Sequence, residues 1–329
     1  MPDAGPNSET QTLLCFSSVV RSYSSVALES LKKNLFPYIG GYLDIVGHSP
    51  PGNELLIESL RPFCRHLLWK FVPDPEFTDQ ELAMDCRAES VINVLRNNLL
   101  QWHSLEQCGR LKQEFEETHG PADRVIWTRP DMLFLWPADV PQSIPAGVLY
   151  ASPHDMWRGF NDRFCLGDSR TMAERMAIGR FFREEWYPSL MQDPDGVLGG
   201  PATNWNPEFV LGCLIKSRGF TVRPSYTMFC RLRELKGRLY AMTPHQHAFR
   251  LYFPDLMPDD GRAEVRQTFE DRVARMLAEQ SNRGVLVDPR AKKYQLSFRQ
   301  KLHQWLSGRN DNRRLVPVER LRALESRAA

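Results

Sequence analysis

The chain has no C-x-x-C pair, no phosphate-binding G-x-x-x-x-G-K-[ST] motif, and no apolar run near the eighteen or so residues that span a bilayer. Each absence excludes a class. Seven cysteines, odd in number and widely spaced (Cys15, Cys64, Cys86, Cys108, Cys165, Cys213, Cys230), give neither a zinc knuckle nor a disulfide framework. Several lie inside apolar runs, where Cys acts as a small hydrophobe, so reduced thiols are expected. The opening Met1 to Thr10 is polar and lacks the cationic and apolar regions of a secretion signal, so a cytoplasmic protein is expected.

Net charge is also scarce, at +2 over 329 residues, but it is segregated. From Arg262 onward 16 Lys and Arg face 8 Asp and Glu, a local +8 against −6 for the rest. A basic tail attracts membrane phosphates, nucleic acid or acidic partners, though a solvated helical surface is the commoner origin. Apolar residues at 42% and charged ones at 25% match a globular protein with a sizeable core. Residues 1–10 are expected to be disordered, 11–257 to form the main domain, and 258–329 a basic helical extension with helices near 263–279 and 296–306.

Hydrophobic periodicity predicts an alternation of strands and helices. Thr12 to Val20 reads as a buried strand, and a helix then runs from the following serines to Pro37. Leu43 to Val46 reads as a second strand ending at Gly47. Leu55 to Phe71 is a helix or a helix–strand unit. Between Cys86 and Thr118 the residues Val91, Val94, Leu95, Leu99, Trp102, Leu105, Cys108, Leu111 and Phe115 form one helical stripe, stopped at His119-Gly120-Pro121.

Arg124 to Thr128 is strongly β-forming, and Gly147 to Ala151 is another short strand. Ser152 to Phe164 reads as a loop, Arg170 to Met191 as helical, and Asp193 to Asn206 as a loop. Asn206-Pro207-Glu208 then opens a helix that Gly219 ends, with cap, proline and acidic residue each in its favoured place.

The segment Val125-Ile-Trp-Thr-Arg-Pro-Asp-Met-Leu-Phe134 resembles a group of GT-A-type glycosyltransferases. In them a strand written roughly YD-x-V-hydrophobic-x-R-x-D-hydrophobic-x-F ends at the donor site, and Asp123, Val125, Arg129, Asp131 and Phe134 match it. Leu14 to Arg21, Ser30 to Leu35 and Asp44 to His48 look like the family's first strand, helix and second strand. Asn161-Asp-Arg-Phe164 and Pro207-Glu-Phe209 resemble its later motifs, so the likeness covers about residues 12–230.

The resemblance implies a mostly parallel α/β sheet of Rossmann type, a nucleotide-sugar as donor, and a glycan or other hydroxyl acceptor. Ser17, Arg21, Arg129 and Asp131 would then face the donor, Trp157 and Asn161 the acceptor, with Asp162 and Glu208 as catalytic candidates. Many relatives hold Mn²⁺ or Mg²⁺ on an Asp-x-Asp pair, because hard oxygen ligands suit those ions. Here Arg129 replaces the first Asp. Either Asp131 still carries a metal, or Arg129 and Arg21 meet the diphosphate charge themselves.

Local structure offers competing roles. Arg129-Pro-Asp131 also suits a strand-end turn with an ion pair, Asn161 an Asx turn, and Glu208 a helix cap. His48, His154 and Asp155 are candidate polar contacts, whereas His245-x-His247 lacks a third ligand. A catalytically inactive protein of the same fold, binding a glycan or a protein, is the alternative. Peripheral membrane contact through the tail is a further partner expectation, and nucleic acid a weaker one.

Overall fold

A computed structural model describes residues 10–17, 25–51, 54–82, 92–134, 137–152, 159–192, 207–225, 227, 229–235, 238–242, 286–287 and 315–317. The chain opens with β1 (Gln11–Ser17), then α1 (Ser25–Asn34), a short α2 (Phe36–Ile39) and β2 (Tyr42–Ser49). Pro37 starts α2 rather than merely ending α1, since a missing N–H costs nothing in a first turn. Strand β2 also outruns its expected end. Gly47 is within it because the Trp69 ring packs on the backbone, where a Cβ would sit 2.2 Å from the ring.

Next come α3 (Glu54–Glu58), a 3₁₀ turn, β3 (Leu67–Phe71), α4 (Asp79–Leu82) and the long α5 (Ile92–His119). Gly120 closes α5 with φ 85° and a bond from its N–H to the Glu116 carbonyl, the left-handed cap that glycine adopts without strain. Strands β4 (Arg124–Thr128), β5 (Met132–Phe134), β6 (Val148–Ala151) and β7 (Phe164–Gly167) follow. The expected loop through Phe164 therefore gives way to a strand there.

Residues 169–192 are helical but for a turn at Ala177, as α6 (Ser169–Met176), α7 (Ile178–Phe181), a π turn (Phe182–Trp186) and α8 (Tyr187–Gln192). Helix α9 (Pro207–Ser217) matches its expected bounds closely, and β8 (Thr221–Pro224) follows it. The remaining strands are β9 (Phe229–Leu235), β10 (Arg238–Met242), β11 (Leu286–Val287) and β12 (Leu315–Pro317). Beyond 258 the described pieces are these last two strands; the expected helices near 263–279 and 296–306 lie outside the described residues.

Eight strands form the main sheet in the order β11-β8-β6-β7-β4-β1-β2-β3, with only β7 antiparallel to its neighbours. The fold is thus α/β, with a mostly parallel sheet flanked by helices. From β1 the chain steps outward through β2 and β3, then returns to place β4 on the other side of β1. In open α/β sheets such a reversal leaves a crevice beyond the carboxyl ends of the two strands, where ligands bind.

Only Arg129, Pro130 and Asp131 separate β4 from β5, which belongs to a second, antiparallel sheet ordered β12-β10-β9-β5. The chain therefore changes sheets at the crevice. Alternation along β1 splits the core into two layers. Leu13 and Cys15 pack with the α5 stripe of Leu95, Leu99, Trp102, Leu105, Cys108, Leu111 and Phe115, while Leu14 and Phe16 pack with α1 and β5.

Candidate functional site

The last residue of β1, Ser17, is buried beside β4, where the Trp127 indole N–H donates to its Oγ at 2.8 Å. On the same face, Arg175 from α6 lays its guanidinium 4.1 Å from the Trp127 ring, a cation–π contact in a water-poor setting. Arg175 also donates from Nη2 to the Asp162 carbonyl at 3.2 Å and from Nε to Cys165 Sγ at 3.2 Å. Asp162 is thereby tied to the sheet from behind.

In register with Ser17 stands His48, near the end of β2. Its Nδ1 lies 3.1 Å from Ser104 Oγ of α5, and burial, aided by the neighbouring His103, pushes its pKa down to about 4. At neutral pH the ring is uncharged. Through Ser104, His48 meets a polar ridge of α5 in which Asn98, Gln101 and Ser104 recur every three residues.

Where β4 ends, Arg129 grips Asp131 with both arms of a fork, Nε to Oδ1 at 2.8 Å and Nη2 to Oδ2 at 2.7 Å. Burial alone would weaken the guanidinium's hold on its proton, but the Asp131 charge and hydrogen bonds outweigh it and raise the Arg129 pKa. Asp131 also anchors the sheet change, its carbonyl accepting the Leu232 N–H at 2.8 Å.

Asn161 folds its Oδ1 back onto the Arg163 N–H at 2.9 Å, an Asx turn that aims the next two side chains. Asp162 takes a 2.7 Å bond from Gln101 on Oδ2, while Oδ1 is buried without a hydrogen-bond partner. Burial pushes the Asp162 pKa up, yet Arg163, Gln101, Arg129 and Arg175 together hold it below the usual carboxylate range. It stays an anion.

Glu208, the second residue of α9, is buried as well, and Arg163 reaches it at 3.3 Å while standing 3.8 Å from Asp162 Oδ1. The Asx turn and α9 touch directly, through Phe160 N–H donating to the Glu208 carbonyl at 3.1 Å. Gly159 makes this approach feasible, since a Cβ there would fall 1.7 Å from that carbonyl oxygen.

Of the expected site residues, Arg129, Asp131, Asp162 and Glu208 come together around Arg163, with Asn161 shaping the turn and Ser17 linked through Trp127 and Arg175. Arg21, Trp157, His154, Asp155, His245 and His247 lie outside the described residues. Sequence reasoning missed Arg163, Gln101 and Arg175. Arg163 stood inside the Asn-Asp-Arg-Phe motif and so had a signal, whereas Gln101 and Arg175 meet the site only through long-range packing.

The residues suit a guanidinium-neutralised carboxylate better than a metal site. Both Asp131 oxygens are taken by Arg129, and among the described residues no three His, Cys, Asp or Glu side chains converge as a metal shell. A separate groove of about 810 Å³ lies between α5 and α6, lined by Lys112, Glu116, Ser169 and the motif residue Asp123, and contains none of the expected donor, acceptor or catalytic residues. No described helix is long and apolar enough to cross a membrane. Comparison with models of known protein families and with curated proteins finds no match to this chain.

Proposed function

We propose that the chain is a glycosyltransferase of GT-A type that moves a sugar from a nucleotide-sugar to a hydroxyl of a glycan or similar acceptor. The observation that carries this reading is the gathering of Asp162, Arg163 and Glu208 with Arg129 and Asp131 near the reversal between β1 and β4; the Arg129–Asp131 fork taken alone is also the ion pair of a strand-end turn. The sequence resemblance and the mostly parallel sheet agree with it, though neither chooses the chemistry.

In this reading the diphosphate meets Arg129, whose Nη1 is not used on Asp131. Asp131 acts as its positioning partner, keeping a buried cation neutralised while the site is empty. A carboxylate, Asp162 or Glu208, takes the proton of the acceptor hydroxyl. The hydroxyl oxygen bonds to the anomeric carbon, the carbon–oxygen bond to phosphate breaks, and its electron pair leaves on the diphosphate, where a preset cation is worth most. No step passes through a divalent cation.

Incubation of the full chain with UDP-, GDP- and CMP-sugars, with Mn²⁺ or with EDTA, tests the proposal. Turnover or donor hydrolysis with one nucleotide class supports it, and silence across the whole panel ends it. The alternative, an inactive protein of this fold that binds a glycan or a protein, draws on Arg129 standing in place of a carboxylate. Glycan retention with no turnover in the wild type would select it. Contact of the basic tail with anionic membranes is a separate proposal, read by co-sedimentation with phosphatidylserine vesicles.

A further inference from the structure

Arg163 lies across two buried acids, donating a long hydrogen bond to Glu208 and standing off Asp162. Its contacts to Glu208 and Asp162, 3.3 and 3.8 Å, are longer than the 2.7–2.9 Å typical of charge-assisted bonds. The guanidinium is 18% exposed and each acid 6%, so Arg163 forms the outer lid of the cluster. Beneath it, Asp162 Oδ1 has no hydrogen-bond donor, although Gln101 and Arg175 fix the rest of that residue. A buried carboxylate oxygen left without a donor is costly, and the Arg163 side, the more exposed one, is where a donor can be supplied.

We infer that Asp162, Arg163 and Glu208 form a clamp for two adjacent hydroxyls of a neutral sugar, one on Asp162 Oδ1 and its neighbour between Arg163 and Glu208. A hydroxyl both donates and accepts, so each can give its proton to an acid and receive one from Arg163. An acidic sugar is disfavoured, because its carboxylate would face Asp162 and Glu208 at once. The clamp rests on the transferase reading for its acceptor role: the hydroxyl on Asp162 is the one that reacts, and the other fixes orientation.

The test is equilibrium titration of the full chain, with UDP or GDP present, by methyl α-D-mannopyranoside, methyl β-D-glucopyranoside and methyl β-D-galactopyranoside. Each is compared with its singly deoxygenated analogues. At least one glycoside is expected to bind, and removal of either of two adjacent hydroxyls is expected to weaken it roughly 10- to 100-fold. Arg163→Met and Asp162→Asn should cost a similar factor, with Arg163→Lys intermediate because a point charge cannot fork between two groups.

Far-UV circular dichroism and thermal melting check that each variant folds, and Arg163→Lys carries the test if Arg163→Met does not. Binding of no glycoside, or binding indifferent to both residues in folded variants, overturns the clamp. Arg163-dependent glycoside binding without any sugar transfer keeps the clamp and removes the transferase reading. Transfer that ignores Arg163 does the opposite.

Discussion

Two buried polar clusters sit at opposite ends of α5, and they are built differently. Toward its carboxyl end, Lys112 donates to Glu116 at 2.6 Å and to Ser169 at 2.8 Å, and Ser169 donates to Glu116 at 2.8 Å. That ring is short and closed. Toward the other end, Arg163 spans Asp162 and Glu208 at 3.8 and 3.3 Å, and one Asp162 oxygen has no hydrogen bond. A satisfied network stiffens the fold, whereas a buried acceptor left without a donor costs stability until one reaches it.

Breaking the closed ring should give the largest loss of stability. Lys112→Ala leaves Glu116 without its cation in a mostly buried place, and about 3 kcal/mol is expected, the low end for a broken buried pair. Urea unfolding reads the loss, and sugar binding measured on the folded fraction should be unchanged. Breaking the open cluster should do the reverse. Asp162→Asn is expected to cut transfer by about 10²–10⁴-fold, the usual weight of a general base, with a smaller fall in the urea midpoint than Lys112→Ala because the amide can keep the Gln101 bond.

His48 offers a pH handle near the open end. Its folded pKa of about 4 lies below its unfolded value near 6.5, so the unfolded chain binds the extra proton between those limits. The stability it contributes is complete above pH ~6.5 and is lost as pH falls toward ~4, by roughly 2–3 kcal/mol. Urea titrations of wild type and His48→Gln across that window should converge at the acid end. The smallest effect is expected from chelation. Because Arg129 occupies Asp131, EDTA should leave transfer within about twofold, and a strict Mn²⁺ requirement would show that the fork opens.

Much of the fold was legible because strands and helices announce themselves locally. The stripe from Leu95 to Phe115 is buried as its spacing predicts, and Pro207, Glu208 and Gly219 mark the ends of α9 correctly. Strand β7 was missed because Asn161 and Asp162 just before it carry turn chemistry, and pairing with β4 and β6 overrides that signal. The site was half legible. A motif shows that Arg129 and Asp131 are neighbours, but their fork depends on burial at a sheet change, and Gln101 meets Asp162 only because α5 lies on the β1 face. Such long-range meetings leave little trace in local spacing.

The missing side chain at Gly159 has a mechanical corollary. With no room for even a methyl group against Glu208's carbonyl, the turn bearing Asp162 and the start of α9 are held at direct backbone contact. A larger side chain at position 159 is therefore expected to wedge the turn off α9 and draw Asp162 away from Glu208.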